Sequence, residues 1–328
     1  VTQYDDFIKK EKKKNPEANF RLGDDKDLVI VRKSTGIPNL DKIIGGGLPV
    51  AKTILFIGPY SAGKTLLSQK IVAEAQRRGE SAAYIDVERA YDPYWWKVTG
   101  VDIGKLVVSQ PSCGEAALDA CIQAVESEFD FVILDSAAAL VPTAELDQSV
   151  ENQSVGSLAR LLNRGLRKIT QINTKTTFIM LNQIRMTIGQ GPYVPEALPG
   201  GKAQQHFASI ILRVSRGAFI KDGANKVGFT IHFRVEKNKV GTAHGETSLP
   251  FYLSGYMDIP QVIVDLALEL GVVTQAGPYF SYKDKKILGK LGLVKYLQEN
   301  PEEFDELKRL VLEIEPNVEV SDEANEND

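Results

Sequence analysis

Short, continuous apolar runs at 53–57, 82–86, 131–135 and 177–182 alternate along the chain with stretches of helical period at about 64–78, 114–127 and 154–173. Short apolar runs of this kind suit strands buried on both faces, and helices between them predict a mostly parallel sheet covered on both sides. The segments 208–215 and 228–236 follow with only a turn-rich stretch between them, which predicts antiparallel strands at one edge. Residues 2–14 predict a short separate helix ended by Asn15-Pro16. From 259 the pattern changes: a helix near 260–270 stops at Gly271, a hairpin-like 279–287 follows, and two more helices end before Pro316. The predicted class is α/β, with no internal repeat.

Composition narrows this only a little. A chain of 328 residues with 43% hydrophobic content suits one large domain with smaller appendages. Two cysteines, Cys113 and Cys121, lack C-x-x-C spacing, and the histidines His206, His232 and His244 form no H-E-x-x-H pattern, so a protein-built metal centre is not expected. Nothing near the start reads as a signal peptide and no apolar run approaches the roughly 18 residues that span a bilayer. The expectation is a reduced, cytoplasmic protein with no membrane partner.

The net charge of −4 is unevenly spread. Seven acidic residues (Glu313, Glu315, Glu319, Asp322, Glu323, Glu326, Asp328) and no basic ones close the chain, so 36 acidic residues face 39 basic ones elsewhere, a balance of +3. The stretch 316–328 is expected to be an acidic, disordered tail. Lys9, Lys10, Lys12, Lys13 and Lys14 form a basic cluster at the other end.

Gly58-Pro59-Tyr60-Ser61-Ala62-Gly63-Lys64-Thr65 carries the clearest chemistry. It fits G-x-x-x-x-G-K-[ST] between a predicted strand and a predicted helix, the context of a phosphate-binding loop. Backbone N–H groups would cradle phosphates, Lys64 would neutralise them, and the Thr65 hydroxyl would hold Mg2+. About 70 residues on, the apolar strand Phe131-Val132-Ile133-Leu134 ends in Asp135, which places a second Mg2+ oxygen at the sheet's carboxyl edge. Glu88 and Asp86 compete, by pattern alone, for the role of orienting an attacking water. Gln183, at the end of another strand, is placed to sense a γ-phosphate.

Within 154–173, Leu158, Leu162, Leu166 and Ile169 share one helical face, while Arg160, Arg164, Arg167 and Lys168 share the other. No acidic residue occurs from 154 to 176, whereas an ordinary solvated face mixes both signs. Two long turn-rich stretches lie nearby, 143–154 and 188–201, the second with four glycines and three prolines. Loops beside arginines suit a single-stranded nucleic acid held through its phosphates.

From about Phe20 to Leu312 the chain resembles the RecA recombinases of bacteria and their phages. The resemblance is carried by Arg21-Leu22-Gly23-Asp24, Ser34-Thr35-Gly36, the phosphate loop, Tyr84-Ile85-Asp86-Val87-Glu88, Ser109-Gln110-Pro111, Leu134-Asp135-Ser136, Asn182-Gln183-Ile184-Arg185-Met186, Gly200-Gly201 and Lys237-Asn238-Lys239. It implies a RecA-type P-loop ATPase core at 34–257, an N-terminal oligomerisation segment at 1–33, and a small α/β duplex-DNA domain at 258–315. It implies Glu88, not Asp86, as the catalytic glutamate, and Gln183 as the link from γ-phosphate to DNA. It also implies Lys237 and Lys239 reaching the ATP of a neighbouring protomer, with Trp95 stacking on adenine and Asp92 meeting the base. The DNA loops would be 143–156 and 184–201, with Arg160, Arg167, Arg185, Gly200 and Gly201 near the strand. Lys283, Lys285, Lys286 and Lys290 would contact duplex.

The implied activity is an ATP- and Mg2+-dependent DNA-stimulated ATPase. It would form helical homo-oligomeric filaments on single-stranded DNA, pair with homologous double-stranded DNA, and exchange strands in recombination and repair. The acidic tail would compete with DNA for basic sites. Arg89 and His206 depart from the family's usual histidine and aromatic, and the centre of the second loop, with Tyr193 as a base wedge, is this chain's own. A hexameric helicase of the same superfamily and a non-catalytic DNA-protecting filament are the alternative readings. Ring-shaped particles that unwind a forked duplex would mark the first, and equal DNA-stimulated turnover in the parent and Glu88→Gln the second.

Overall fold

The structure is a computed structural model that describes residues 3–146, 156–186 and 196–313. The predicted tail, the wedge residue Tyr193, and most of the first loop lie outside the described residues.

Eight strands make the main sheet: β1 Thr53–Gly58, β2 Ala82–Asp86, β3 Leu106–Ser109, β4 Phe131–Asp135, β5 Thr177–Gln183, β6 Ile210–Asp222, β7 Asn225–Asn238 and β8 Glu246–Tyr252. Their order is β8-β7-β6-β1-β5-β4-β2-β3. From β6 to β3 the neighbours are parallel, and β7 and β8 add antiparallel strands at one edge. The expected architecture is therefore present, with differences at its margins. β3 is short and half-exposed, and its apolar run is only the three residues Leu106-Val107-Val108. β6 and β7 extend well beyond 208–215 and 228–236 because their outer halves form a largely exposed hairpin, where packing imposes no apolar pattern.

Successive residues of a strand point to opposite faces. Ile54 and Phe56 of β1 enter one core, with Leu67 and Ile71 of the helix α2 (Lys64–Arg77). Leu55 and Ile57 enter the other, with Leu118 of α3 (Gly114–Glu126) and Leu162, Leu166 and Ile169 of α4 (Ser157–Ile172). A Cβ on Gly165 would lie 2.6 Å from Leu118 Cδ1, so α4 can approach α3 this closely only with glycine there.

The N-terminal helix α1 (Gln3–Lys14) buries no residue and leaves Tyr4 and Phe7 exposed, as a segment separate from the core would. At the other end, α5 (Ile259–Glu269), a three-stranded antiparallel sheet (Thr274–Ala276, Tyr279–Tyr282, Lys285–Leu288), and the helices Lys290–Glu299 and Pro301–Glu313 form the small α/β region. Its Val262, Leu293 and Leu307 continue the first core. Among the described residues no helix is long and apolar enough to cross a membrane.

Candidate functional site

β1, β2, β4 and β5 run side by side in one direction, so the residues at their carboxyl ends converge on one edge. β1 is buried throughout and ends at Gly58, where a Cβ would lie 2.1 Å from Val214 O. The loop then turns through left-handed Ser61 (φ 53°) and Gly63 (φ 98°) into α2. The first amides of a helix have no intrahelical acceptor, and among the described residues those of Lys64, Thr65 and Leu66 donate no hydrogen bond to the backbone outside the helix. Open amides at the positive end of a fourteen-residue helix make a cradle for phosphate. Lys64 Nζ donates to Gly58 O (3.0 Å) and Pro59 O (2.8 Å) on the cradle's rim. Burial lowers its pKa, against the charges of Asp135 and Glu88, which raise it.

β2 and β4 pair with Asp86 opposite Asp135. Asp135 Oδ2 accepts from Thr65 Oγ1 (2.7 Å) and Tyr84 OH (2.9 Å). Burial lifts the Asp135 carboxyl to about 6, the charges of Glu88 and Asp86 add to this, and the two hydroxyl donors oppose it. Among the described residues no three His, Cys, Asp or Glu side chains gather as a metal cage. Mg2+ needs none, since one or two protein oxygens plus phosphates and water suffice. The hydroxyl and carboxylate of Thr65 and Asp135, both hard oxygens beside the cradle, fit it.

Asp86 and Glu88 are told apart by their partners. Asp86 is fully buried and accepts from Ala90 N (3.2 Å), Tyr91 N (3.0 Å) and Gln110 Nε2 (2.8 Å), so its carboxylate holds the turn after β2. Glu88 faces the cleft, where its Oε1 accepts from Ser136 Oγ (2.5 Å) and Gln183 Nε2 (3.0 Å). Gln183 lies opposite Gly58 across the β1–β5 pair. Next to it, Asn182 Nδ2 donates to Pro199 O (3.0 Å) and to buried Gln204 Oε1 (2.6 Å), tying β5 to the far end of the second loop. Sequence reasoning missed Gln204; a lone buried amide leaves no periodic trace.

The cleft encloses about 550 Å³, within the usual range for a small-molecule site. Asp92, Trp95 and the loop residue Tyr60 line it, together with Gln69, Arg216, Phe229, Phe251 and Leu253, which the sequence did not single out. Asp92 also caps the helix Pro93–Val98 by accepting from Tyr94 N (3.0 Å). The last four lining residues come from β6 to β8 and the turn beyond, and reach the cleft only through the pairing of those strands.

Arg160, Arg164, Arg167 and Lys168 are all exposed on α4, and among the described residues none forms an ion pair. Gly200 (φ 84°) and Gly201 (φ 74°) press onto the same helix: a Cβ on Gly200 would lie 2.2 Å from Leu162 Cδ1. Exposed Arg185 starts a two-residue pairing with Ala197. Lys237 and Lys239 do not line the cleft of their own chain. Instead Lys237 Nζ donates to Gln205 O (2.5 Å) and Lys239 Nζ to His206 O (2.9 Å), beside exposed His206. In the C-terminal region, Lys283 pairs with Glu306 (2.5 Å) and Lys290 with Asp265 (2.7 Å), while Lys285 and Lys286 lie over the rings of Tyr296 and Tyr279.

Comparison with known proteins bears on both regions. The family model for the RecA N-terminal domain matches residues 5–255, and that for the RecA C-terminal domain matches 261–314. A Protein RecA of Nostoc punctiforme is 39% identical over 300 residues, 90% of this chain and 84% of the relative. One of Thermus aquaticus is 38% identical over 309 residues, 92% of this chain and 91% of the relative. Among solved structures, that of the RadB recombinase is similar with a TM-score of 0.52 at 21% identity, covering 68% of this chain and 97% of that one, a likeness of fold.

Proposed function

The chain belongs to the RecA family, and on that footing we propose that its cleft binds ATP with Mg2+ and switches a filament on single-stranded DNA. The protein is a DNA recombinase and a DNA-dependent ATPase. Neither the helicase nor the non-catalytic filament is favoured by its relatives.

The observation that carries the reading is the chain of contacts Thr65–Asp135 and Ser136–Glu88–Gln183 at the mouth of the phosphate cradle. Lys64 and the open amides of α2 bind the phosphates. Thr65 and Asp135 would hold Mg2+, which when bound neutralises charge on the β- and γ-phosphate oxygens. The Glu88 carboxylate, its Oε1 held by Ser136 and Gln183, orients a water and takes its proton as the water's oxygen bonds to the γ-phosphorus and the bond to the β-phosphate oxygen breaks. Gln183, bonded to Glu88 and two residues from Arg185, transmits the state of the γ-phosphate to the DNA face. Lys237 and Lys239 act on the cleft of the next protomer. ATP thereby favours the DNA-binding state, and hydrolysis relaxes it.

Electron microscopy with single-stranded DNA and a slowly hydrolysed ATP analogue should show helical filaments; closed rings would overturn the reading. DNA-stimulated turnover should be lost in Glu88→Gln, and equal rates in variant and parent would remove Glu88 from the chemistry.

A further inference from the structure

Lys70 stands on α2 six residues after Lys64, outside the cleft lining. Its half-buried ammonium meets carbonyl oxygens where a carboxylate would be the cheaper partner: it donates to Thr99 O at 2.9 Å and to Gly255 O at 2.5 Å. Burial, with a smaller contribution from the charge of Arg77, lowers this ammonium to about 8.

The two acceptors belong to the two walls at the far end of the cleft. Thr99 is the C-terminal cap of Pro93–Val98, the helix that carries Trp95. Gly255 lies in a tight turn closed by Gly255 N to Tyr252 O (2.9 Å) and Tyr252 N to Tyr256 O (2.8 Å), and the same turn presents Leu253 to the cleft. Gly255 has φ 85°, and a Cβ there would lie 2.5 Å from Val98 O, so this turn is pressed onto the end of the Trp95 helix. Three residues on, Asp258 caps α5 by accepting from Gln261 N (3.1 Å). One ammonium therefore joins the phosphate-binding helix, the Trp95 helix and the turn that leads into the C-terminal region.

We propose that Lys70 is a positioning residue for nucleotide recognition, holding the Trp95 and Leu253 walls at a set distance from the phosphate cradle. The proposal rests on the cleft being the ATP site. It predicts a ligand-dependent signature, because the walls meet the base and ribose while the cradle meets the phosphates.

Titration calorimetry with ATP and with inorganic tripolyphosphate, both with Mg2+, reads the two ends separately. Lys70→Met should weaken ATP about tenfold, the scale of a lost charged hydrogen bond, and leave tripolyphosphate within about twofold. Lys70→Arg, which keeps a charged donor, should recover most of the ATP affinity. The pair Lys70→Met and Leu253→Ala should be less than additive in a double-mutant cycle. Unchanged ATP affinity, or equal loss for both ligands, would overturn the proposal. If Lys64→Ala left both affinities unchanged, the site reading itself would fail, a different outcome from either. Should Lys70→Met not fold, Lys70→Gln carries the same readings.

Discussion

The nucleotide cleft and the α4 face use polar groups in opposite ways. In the cleft, Thr65, Tyr84, Ser136 and Gln183 are already paired with Asp135 or Glu88 within one chain. On α4, Arg160, Arg164, Arg167 and Lys168 stand in solvent with no ion-pair partner among the described residues. The cleft must hold a few oxygens in one geometry for chemistry, so its groups brace one another in a low-dielectric setting. A face that tracks a charged polymer needs only available cations, and pairing them internally would compete with phosphates. Preorganisation marks the first region and availability the second.

The sharpest way to break that contrast is Glu88→Gln. Turnover should fall about 10²- to 10⁴-fold, the usual scale for a general base, while DNA binding with a slowly hydrolysed analogue persists. If DNA binding fell in parallel, the two regions would not be separable. Asp86→Ala comes next. Removing the buried acceptor of three hydrogen bonds should cost about 3 kcal/mol in denaturant unfolding, with much of it recovered in Asp86→Asn. Equal loss in Asp86→Asn would mean that the charge, not the turn it holds, matters there.

On the other face, Arg160→Ala combined with Arg167→Ala should reduce the salt dependence of single-stranded DNA binding by a slope of about 1.4, at unchanged ATP affinity. An unaltered slope would take α4 off the DNA path. The smallest effect is expected at the opposite edge of the sheet, where Asp130 pairs with Lys33 (2.7 Å) and accepts from Ser81 N (2.9 Å). Burial opposes its ionisation, but Lys33 and Ser81 win and hold the carboxyl well below the usual carboxylate range. A depressed folded value means stability that is present above the unfolded chain's value near 4 and lost as pH falls below it. Asp130→Asn should therefore cost about 1 kcal/mol at pH 7 and flatten the decline in stability below pH 4, with ATP turnover unchanged.

The cleft's chemistry was legible in part. Lys64, Thr65 and Asp135 announce themselves because their spacing follows from local geometry, a strand, a turn and a helix. Pattern alone left Asp86 and Glu88 level, since both end the same strand; hydrogen-bond partners drawn from Gln110 and Gln183 separate them. Arg216, Phe229, Phe251 and Leu253 went unnoticed because they reach the cleft only through pairing of β6, β7 and β8.

The chain by itself determined the alternation of strands and helices, the phosphate loop, the basic face of α4 and the family resemblance. All of these rest on period, local turn geometry or residue order, which act over a few neighbours. Tertiary structure alone decided that Glu88 bonds Gln183, that Gly200 seats against Leu162, and that Lys70 bridges Thr99 and Gly255. Those contacts join residues between 29 and 185 positions apart. No local energy records such meetings; they exist only once the sheet is assembled and the two cores are packed.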